Sequence, residues 1–198
     1  LQLIDKGITV AQVAKVNKHF TEAGIMVHAY LMYGFPTQTA QETIDSLEMV
    51  RQLFEAGVLQ SAFWHLFTMT AHSPVGMEPA KYKVEKQSTT IGTFANNDID
   101  HTDPTGADHE TFSFGLKKSL LNFMHLQHIE KPLSYWFDFK IPETTHPKNL
   151  INEIINKETL PTYKEKDAIE QTKIGALAMA RVNIGPMNNI CAETQVPT

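Results

Sequence analysis

Residues 25–43 read IMVHAYLMYGFPTQTAQET, and this stretch restricts the folds open to the chain more than any other. The run 25–33 is β-branched, aromatic and almost continuously apolar. That is the character of a parallel strand buried on both faces. Gly34-Phe35-Pro36 ends it, because glycine permits a sharp bend and proline cannot donate to a ladder. Thr39 and Glu42 then stand in the T-x-x-E spacing of a capping box, in which each side chain satisfies a backbone N–H of the first helical turn. Ile44, Leu47, Val50, Leu53 and Phe54 recur at helical spacing, and Gly57 stands where that helix should stop. A second strand-like run, LQSAFWHLFTMT, fills residues 59–70. Strand, tight turn, helix and strand make a βαβ unit, so the two strands are expected to be parallel with a right-handed crossover.

The flanks follow the same logic. Residues 1–5 read as the tail of a helix and Lys6-Gly7 as a turn. Thr9 then caps a helix with Val10, Val13, Ala14, Val16 and Phe20 on its buried side, and Gly24 sits at its C-terminal end. After the second strand the character changes. Residues 85–110 are polar and acidic (NNDIDHTDPTGADHE) and are expected to form a long loop or insertion. A helix is expected from about Glu110 to about His128, with Phe112, Leu116, Leu120, Phe123, Met124 and Ile129 on one side. PLSYWFDFKIP, opened by Pro132, reads as an aromatic-rich strand or extended stretch, and PKNLINEIINKE as a short helix with Pro147 in its first turn. KIGALAMARVNIG fits a strand better than a helix. The expected organisation is an α/β part over residues 1–82, an acidic loop over 83–110, and a mainly helical extension over 111–198.

Composition removes several function classes. Of 198 residues 42% are hydrophobic and 20% charged, the balance of a globular chain. The net charge is −5 and no Lys/Arg run occurs, so nucleic acid and anionic membrane are poor partners. No apolar stretch approaches the ~20 residues of a membrane span, and no signal-peptide pattern opens the chain. The single cysteine, Cys191, forms no intrachain disulfide and cannot assemble a multi-cysteine metal site. A reducing, cytoplasmic setting fits.

In parallel α/β folds ligands gather at the carboxyl ends of strands, where loops and helix N-termini converge. Residues 33–39 are therefore a candidate ligand loop: Gly34 admits close approach, Pro36 stiffens the exit, and the helix starting near Ala40 offers N–H groups to an anion. The same G-x-P joint also reads as a plain tight turn. The ordered motifs DKGIT, EAGIMVHAY, YGFPTQTAQET, an aromatic strand and HSPV span about residues 1–82. In that order and spacing the stretch resembles the second half of the catalytic domain of radical S-adenosylmethionine (radical SAM) enzymes. It is most like the group often called Fe–S oxidoreductases, many of which carry an upstream cobalamin-binding domain. The resemblance implies the second half of a partial TIM-like (β/α)6 barrel followed by a C-terminal extension. It also implies a parent enzyme with a [4Fe–4S] cluster on a C-x-x-x-C-x-x-C triad. Such a parent cleaves S-adenosylmethionine reductively to a 5′-deoxyadenosyl radical, which takes hydrogen from a substrate in the barrel lumen.

Carried onto this chain, the wall near the adenine is Leu31, Tyr33, Gly34, Phe35 and Pro36, with Phe67 from the next strand. Relatives often carry an acid where this loop has Gln38. His28 and His65, within the strands, and His72, just past the second, are candidates for the substrate lumen; satisfied core histidines are the other reading of the strand pair. One cysteine cannot hold the cluster, so this chain is expected to contain no cofactor site complete in itself and to lack radical chemistry alone. The resemblance makes it a C-terminal fragment whose partner is the missing N-terminal half of the same protein. A half barrel exposes strand edges, which the fragment is expected to cover by homodimerising, by swapping, or by recruiting its own C-terminal segment. The competing reading is a stand-alone α/β binding or scaffold domain without catalysis. A third is a hydrolase using histidines with a divalent metal.

The remaining constellations are weak. His125 and His128 are expected on one helix face, but no E-x-x-H accompanies them. Asp98, Asp100, Asp103, Asp108 and Glu110 fail the calcium-loop pattern, with no Gly at its sixth position and His109 at its twelfth. No G-x-S-x-G elbow accompanies the serines and histidines. Tyr135, Trp136, Phe137 and Phe139 read as a packing anchor, since few basic residues interleave with them.

Overall fold

The computed structural model describes residues 7–87, 97–104, 106–157 and 180–186. Helix α1 (Val10–Glu22) begins at Thr9, whose hydroxyl accepts from the Gln12 N–H at 3.2 Å while the Gln12 side chain accepts from the Thr9 N–H at 2.8 Å. Val10, Val13 and Ala14 are buried as expected. Val16 is 44% exposed, because it lies off the arc that Val10, Val13, Ala14 and Asn17 share. Gly24, at φ +76°, follows the C-cap Ala23 and releases the chain into strand β1 (Ile25–Tyr33).

The expected βαβ unit is present. Helix α2 (Ala40–Glu55) carries the Thr39/Glu42 capping box and ends at Ala56 before Gly57. Strand β2 (Ser61–Leu66) pairs parallel to β1, His28 against Ser61 through Tyr33 against Leu66. One expectation is corrected: β1 is not buried on both faces. Val27, Ala29, Leu31 and Tyr33 are buried beneath the helices, whereas the alternate residue Tyr30 is 40% exposed. β2 repeats the pattern, with Ala62 and Trp64 buried and Phe63 52% exposed. The apolar run is continuous because a strand with one buried and one half-open face can carry aromatics on both.

Beyond β2, Ser73 caps the short helix α3 (Pro74–Met77), accepting from the Gly76 N–H at 3.0 Å, and a 3₁₀ turn Pro79–Tyr82 follows. The expected loop over 85–110 contains a small antiparallel pair, β3 (Glu85–Lys86) with β4 (His101–Thr102), and a bridge from Thr70 to Asp98. Helix α4 (Ser113–Met124) is shorter than expected at both ends. Its first turn is a separate 3₁₀ turn, His109–Phe112, and left-handed residues Leu126 and His128 break the chain behind it. Residues 132–142 are not a strand: Leu133–Trp136 form a 3₁₀ turn that seats Trp136 edge-on against Phe123, 5.5 Å between centroids. Helix α5 (Leu150–Asn156) starts three residues after Pro147.

Strand β5 (Ala180–Pro186) pairs antiparallel with β1, so the sheet order is β2-β1-β5. No closed barrel is formed among the described residues. The fold is mixed α/β, and one buried core runs from Val10 through β1, α2 and β2 to Phe112, Trp136 and Ile151. The expected boundary at residue 110 thus falls inside continuous packing. Among the described residues no helix is long and apolar enough to cross a membrane. The expected helix tail at 1–5, residues 173–179 of the C-terminal strand, and Cys191 lie outside the described residues.

Candidate functional site

The joint after β1 is the most constrained place in the chain. Gly34 takes φ +76°, and a Cβ there would stand 2.5 Å from Leu66 Cδ1 and 3.2 Å from His109 Cγ. Close approach is therefore the reason for glycine, and what approaches is the side chain of Leu66, with His109 beside it. The Gly34 N–H donates to Gln38 Oε1 at 2.6 Å and the Gln38 N–H to the Phe35 carbonyl at 2.9 Å, a tight loop in which Thr37 takes φ +71°. Asp103 and residues 106–109 clamp this loop from outside. Asp103 accepts from the Thr37 N–H at 2.5 Å and from the Gly106 N–H at 3.0 Å, and the Ala107 N–H donates to the Gln38 carbonyl at 3.2 Å.

Three polar atoms at the clamp have no hydrogen-bond partner among the described residues: Gln38 Nε2 and both ring nitrogens of His109. Gln38 is only 5% exposed. Burial lowers the pKa of His109 below the ordinary histidine value, while Asp103, the nearby Gln38 carbonyl and Asp108 oppose it. The carbonyl acts on the ring by proximity, without reaching hydrogen-bonding geometry. His109 is accordingly held neutral at pH 7.

A second, smaller apolar cluster backs the joint. Phe35, Met69, Val75 and Val84 form it, with Phe67 and Tyr82 packed on its rim. Phe35 meets Phe67 and Tyr82 edge-on at 5.1 and 6.0 Å, and Phe67 meets His101 at 5.6 Å. At the α2 N-terminus, the expected anion site, two of the N–H groups are taken up within the chain. Thr39 Oγ1 accepts from the Glu42 N–H, and the Glu42 carboxylate accepts from the Thr39 N–H at 2.8 Å. An external anion would meet that carboxylate at close range.

The other candidate residues separate into three groups. Gly34, Phe35, Pro36 and Phe67 gather at the joint. Leu31 and Tyr33 point the other way, into the helix-side core, Tyr33 edge-on to Trp64 at 6.1 Å. Their side chains line no surface, so any wall they offer is backbone. His28 and His65 share the open face of the sheet with Tyr30 and Phe63. His28 Nδ1 lies 2.7 Å from Ser61 Oγ, and its ring meets Tyr30 edge-on at 5.0 Å. His72 is exposed beside the α3 cap.

His125 and His128 do not share a helix face: α4 ends at Met124, and His128 sits at φ +54° against Tyr135, 5.9 Å between rings. Among the described residues no group of three His, Cys, Asp or Glu side chains could hold a metal ion. Gln38 lies in the expected loop 33–39, whereas Asp103 and His109 are the site residues that sequence reasoning missed. Asp103 and His109 belong to the acidic loop, and nothing in that loop's composition names the joint as its seat.

Chemically, the joint offers an amide donor and a neutral imidazole beside aromatic surface, sealed from solvent by its own clamp. The open face offers a serine–histidine contact and two aromatic side chains without a cover among the described residues. No protein-family model matches the chain, and neither the curated proteins nor the solved structures give a match.

Proposed function

We propose that this chain is the C-terminal part of a radical SAM Fe–S oxidoreductase, contributing a segment of a partial (β/α)6 barrel and a C-terminal extension to a cytoplasmic parent enzyme. One observation supports this reading above the others. Among the described residues the parallel pair β1 and β2 has its helices on one side only, and the opposite face carries His28, Tyr30, Phe63 and His65 in half-exposed or exposed positions. A doubly wound sheet covers both faces, whereas a barrel strand keeps its second face for the lumen.

Neither group that the parent would use fits these residues alone. A cluster needs three thiolates and the chain has one cysteine. The space above Gly34 is taken by His109 rather than left for an adenine. In the parent, cluster and S-adenosylmethionine together would supply the radical; this chain's part is to shape the lumen and close one end of it.

The coding DNA upstream of Leu1 tests the reading. A C-x-x-x-C-x-x-C triad about 100–150 residues upstream is expected, the length that the first half of such a barrel requires. The purified full-length protein, with its cluster reconstituted and reduced, should then release 5′-deoxyadenosine from S-adenosylmethionine. An upstream region without the triad overturns the proposal. The antiparallel seat of β5 on β1 favours a second reading, in which the three strands are a finished sheet and the chain is a stand-alone α/β binding or scaffold domain.

A further inference from the structure

The clamp holds the joint by three hydrogen bonds, and three of the six buried side-chain polar atoms without a hydrogen-bond partner among the described residues lie there; the others are the ring nitrogens Trp64 Nε1, Trp136 Nε1 and His146 Nε2. On α2 the buried amide of Gln52 is fully used: Nε2 donates to Glu48 and to the Pro147 carbonyl, and Oε1 accepts from the Ile151 N–H. At the joint, Gln38 Nε2 and both nitrogens of His109 are buried without hydrogen-bond partners among the described residues. A buried donor or acceptor left unmade costs about 1–3 kcal/mol. The closed joint is therefore maintained against a penalty, by Asp103 on the Thr37 and Gly106 amides, by Ala107 on the Gln38 carbonyl, and by the ring of His109 on Gly34.

We propose that His109 is an acid-released latch: seated on Gly34 as a neutral ring it closes the carboxyl end of β1, and on gaining a proton it leaves and that end opens. The seat fits only the neutral ring. An imidazolium there would bury a charge, and burial outweighs what the Asp103 carboxylate, the Gln38 carbonyl and the Asp108 carboxylate offer it. The carboxylates facing the ring are Asp103 and Asp108, both from its own loop. The elements opposite, the joint and the end of β2, present Gly34, Leu66 and the Gln38 carbonyl, none of which titrates. Burial is the largest influence on His109 and favours the neutral form over the attraction of both carboxylates.

The sign follows. A histidine whose pKa is lowered in the closed state stabilises closure above its free value of 6.5, and that contribution is lost as pH falls from 6.5 toward the lowered value. What the latch excludes rests on the proposed function: there the end of β1 is the wall beside S-adenosylmethionine, and the closed joint blocks it. The latch itself does not depend on that reading.

Amide hydrogen exchange on the full chain tests it, read at Gly34, Thr37 and Ala107 at pH 7.5 and 5.5 and corrected for the intrinsic rate at each pH. Protection at the three amides is expected to fall by up to about tenfold per pH unit once the free histidine value is passed. His109→Phe, which fills the seat without a titrating group, should keep the same protection at both pH values. The carbon-13 shift of the wild-type His109 ring should titrate below 6.5 and in step with the three amides. Protection in the wild type that does not change with pH overturns the latch, as does an acid loss that survives in His109→Phe. Should that variant fail to fold, a wild-type ring that titrates at 6.5 or above, or without the amides, overturns it equally. Loss of the latch leaves the upstream cysteine triad untouched, and absence of the triad leaves the exchange result standing, so the two failures are distinguishable.

Discussion

Gly34 shows what one residue does when backbone angle and space are constrained together. Its φ of +76° already favours glycine, and Leu66 and His109 occupy the position of a side chain. Gly34→Ala is expected to destabilise the chain by about 1–3 kcal/mol, read as a lower urea midpoint. It should also expose the His109 ring to solvent and return its titration toward 6.5. An alanine variant as stable as the wild type would mean that His109 is not seated there. The turn at Gly34 was legible in the sequence, because glycine and proline after an apolar run leave few other conformations. Its occupant was not. His109 comes from a loop whose acidic composition reads as solvated, and only tertiary closure brings that loop back to the strand end. Leu31 and Tyr33 show the converse: the strand was legible, but which of its faces meets the helices depends on packing that no single residue announces.

Among the elements, α2 organises the rest. Every residue from Thr43 to Phe54 is buried, including its charged ones. Glu48 and Arg51 pair at 2.7 Å, and the Glu48 hydrogen bond together with the charges of Glu48 and Glu55 holds the guanidinium pKa above its ordinary value despite burial. The polar side of α2 is thereby made fit to be covered, and the C-terminal extension covers it. Asp45 accepts from the Thr145 N–H at 2.7 Å and from the hydroxyls of Thr144 and Thr145 at 2.9 and 2.8 Å. Arg51 donates to the Ile129 carbonyl, and Gln41 to that of Glu143. Asp45→Ala should cost about 1–3 kcal/mol, since it removes the carboxylate that three donors of a part-buried seam share. Limited proteolysis should then cut at residues 143–147 before it cuts α2. Uniform digestion of both would show that the extension does not depend on this seam. The helix start was legible from Thr39 and Glu42, because a capping box is local chemistry. The cover was not, since the charged residues of α2 read as a solvated face until the extension is folded onto them.

For the whole molecule the question is what protects the sheet edge. Val27 and Tyr33 turn their carbonyls toward β2, accepting from the Gln60 and Phe67 N–H groups. Alternation then turns the backbone of His28 toward β5, where Arg181 is its partner in the register. Of the three ways in which the chain was expected to cover an open edge, recruitment of its own C-terminal segment is the one the fold displays. An antiparallel strand does so without a crossover, whereas the barrel that the resemblance implies would set a parallel strand at that edge. Arg181→Pro removes the N–H of a residue opposite His28 and should loosen β5 without touching α2 or the extension. With β1 bare, its backbone groups become a template for other chains. The variant is expected to bind an apolar dye and to associate with increasing concentration by light scattering, while the wild type does neither. The helix-side core, from Val10 to Ile151, should keep its thermal transition. If the variant stays as monodisperse as the wild type, β5 is not the cover, and the edge of β1 is protected in some other way.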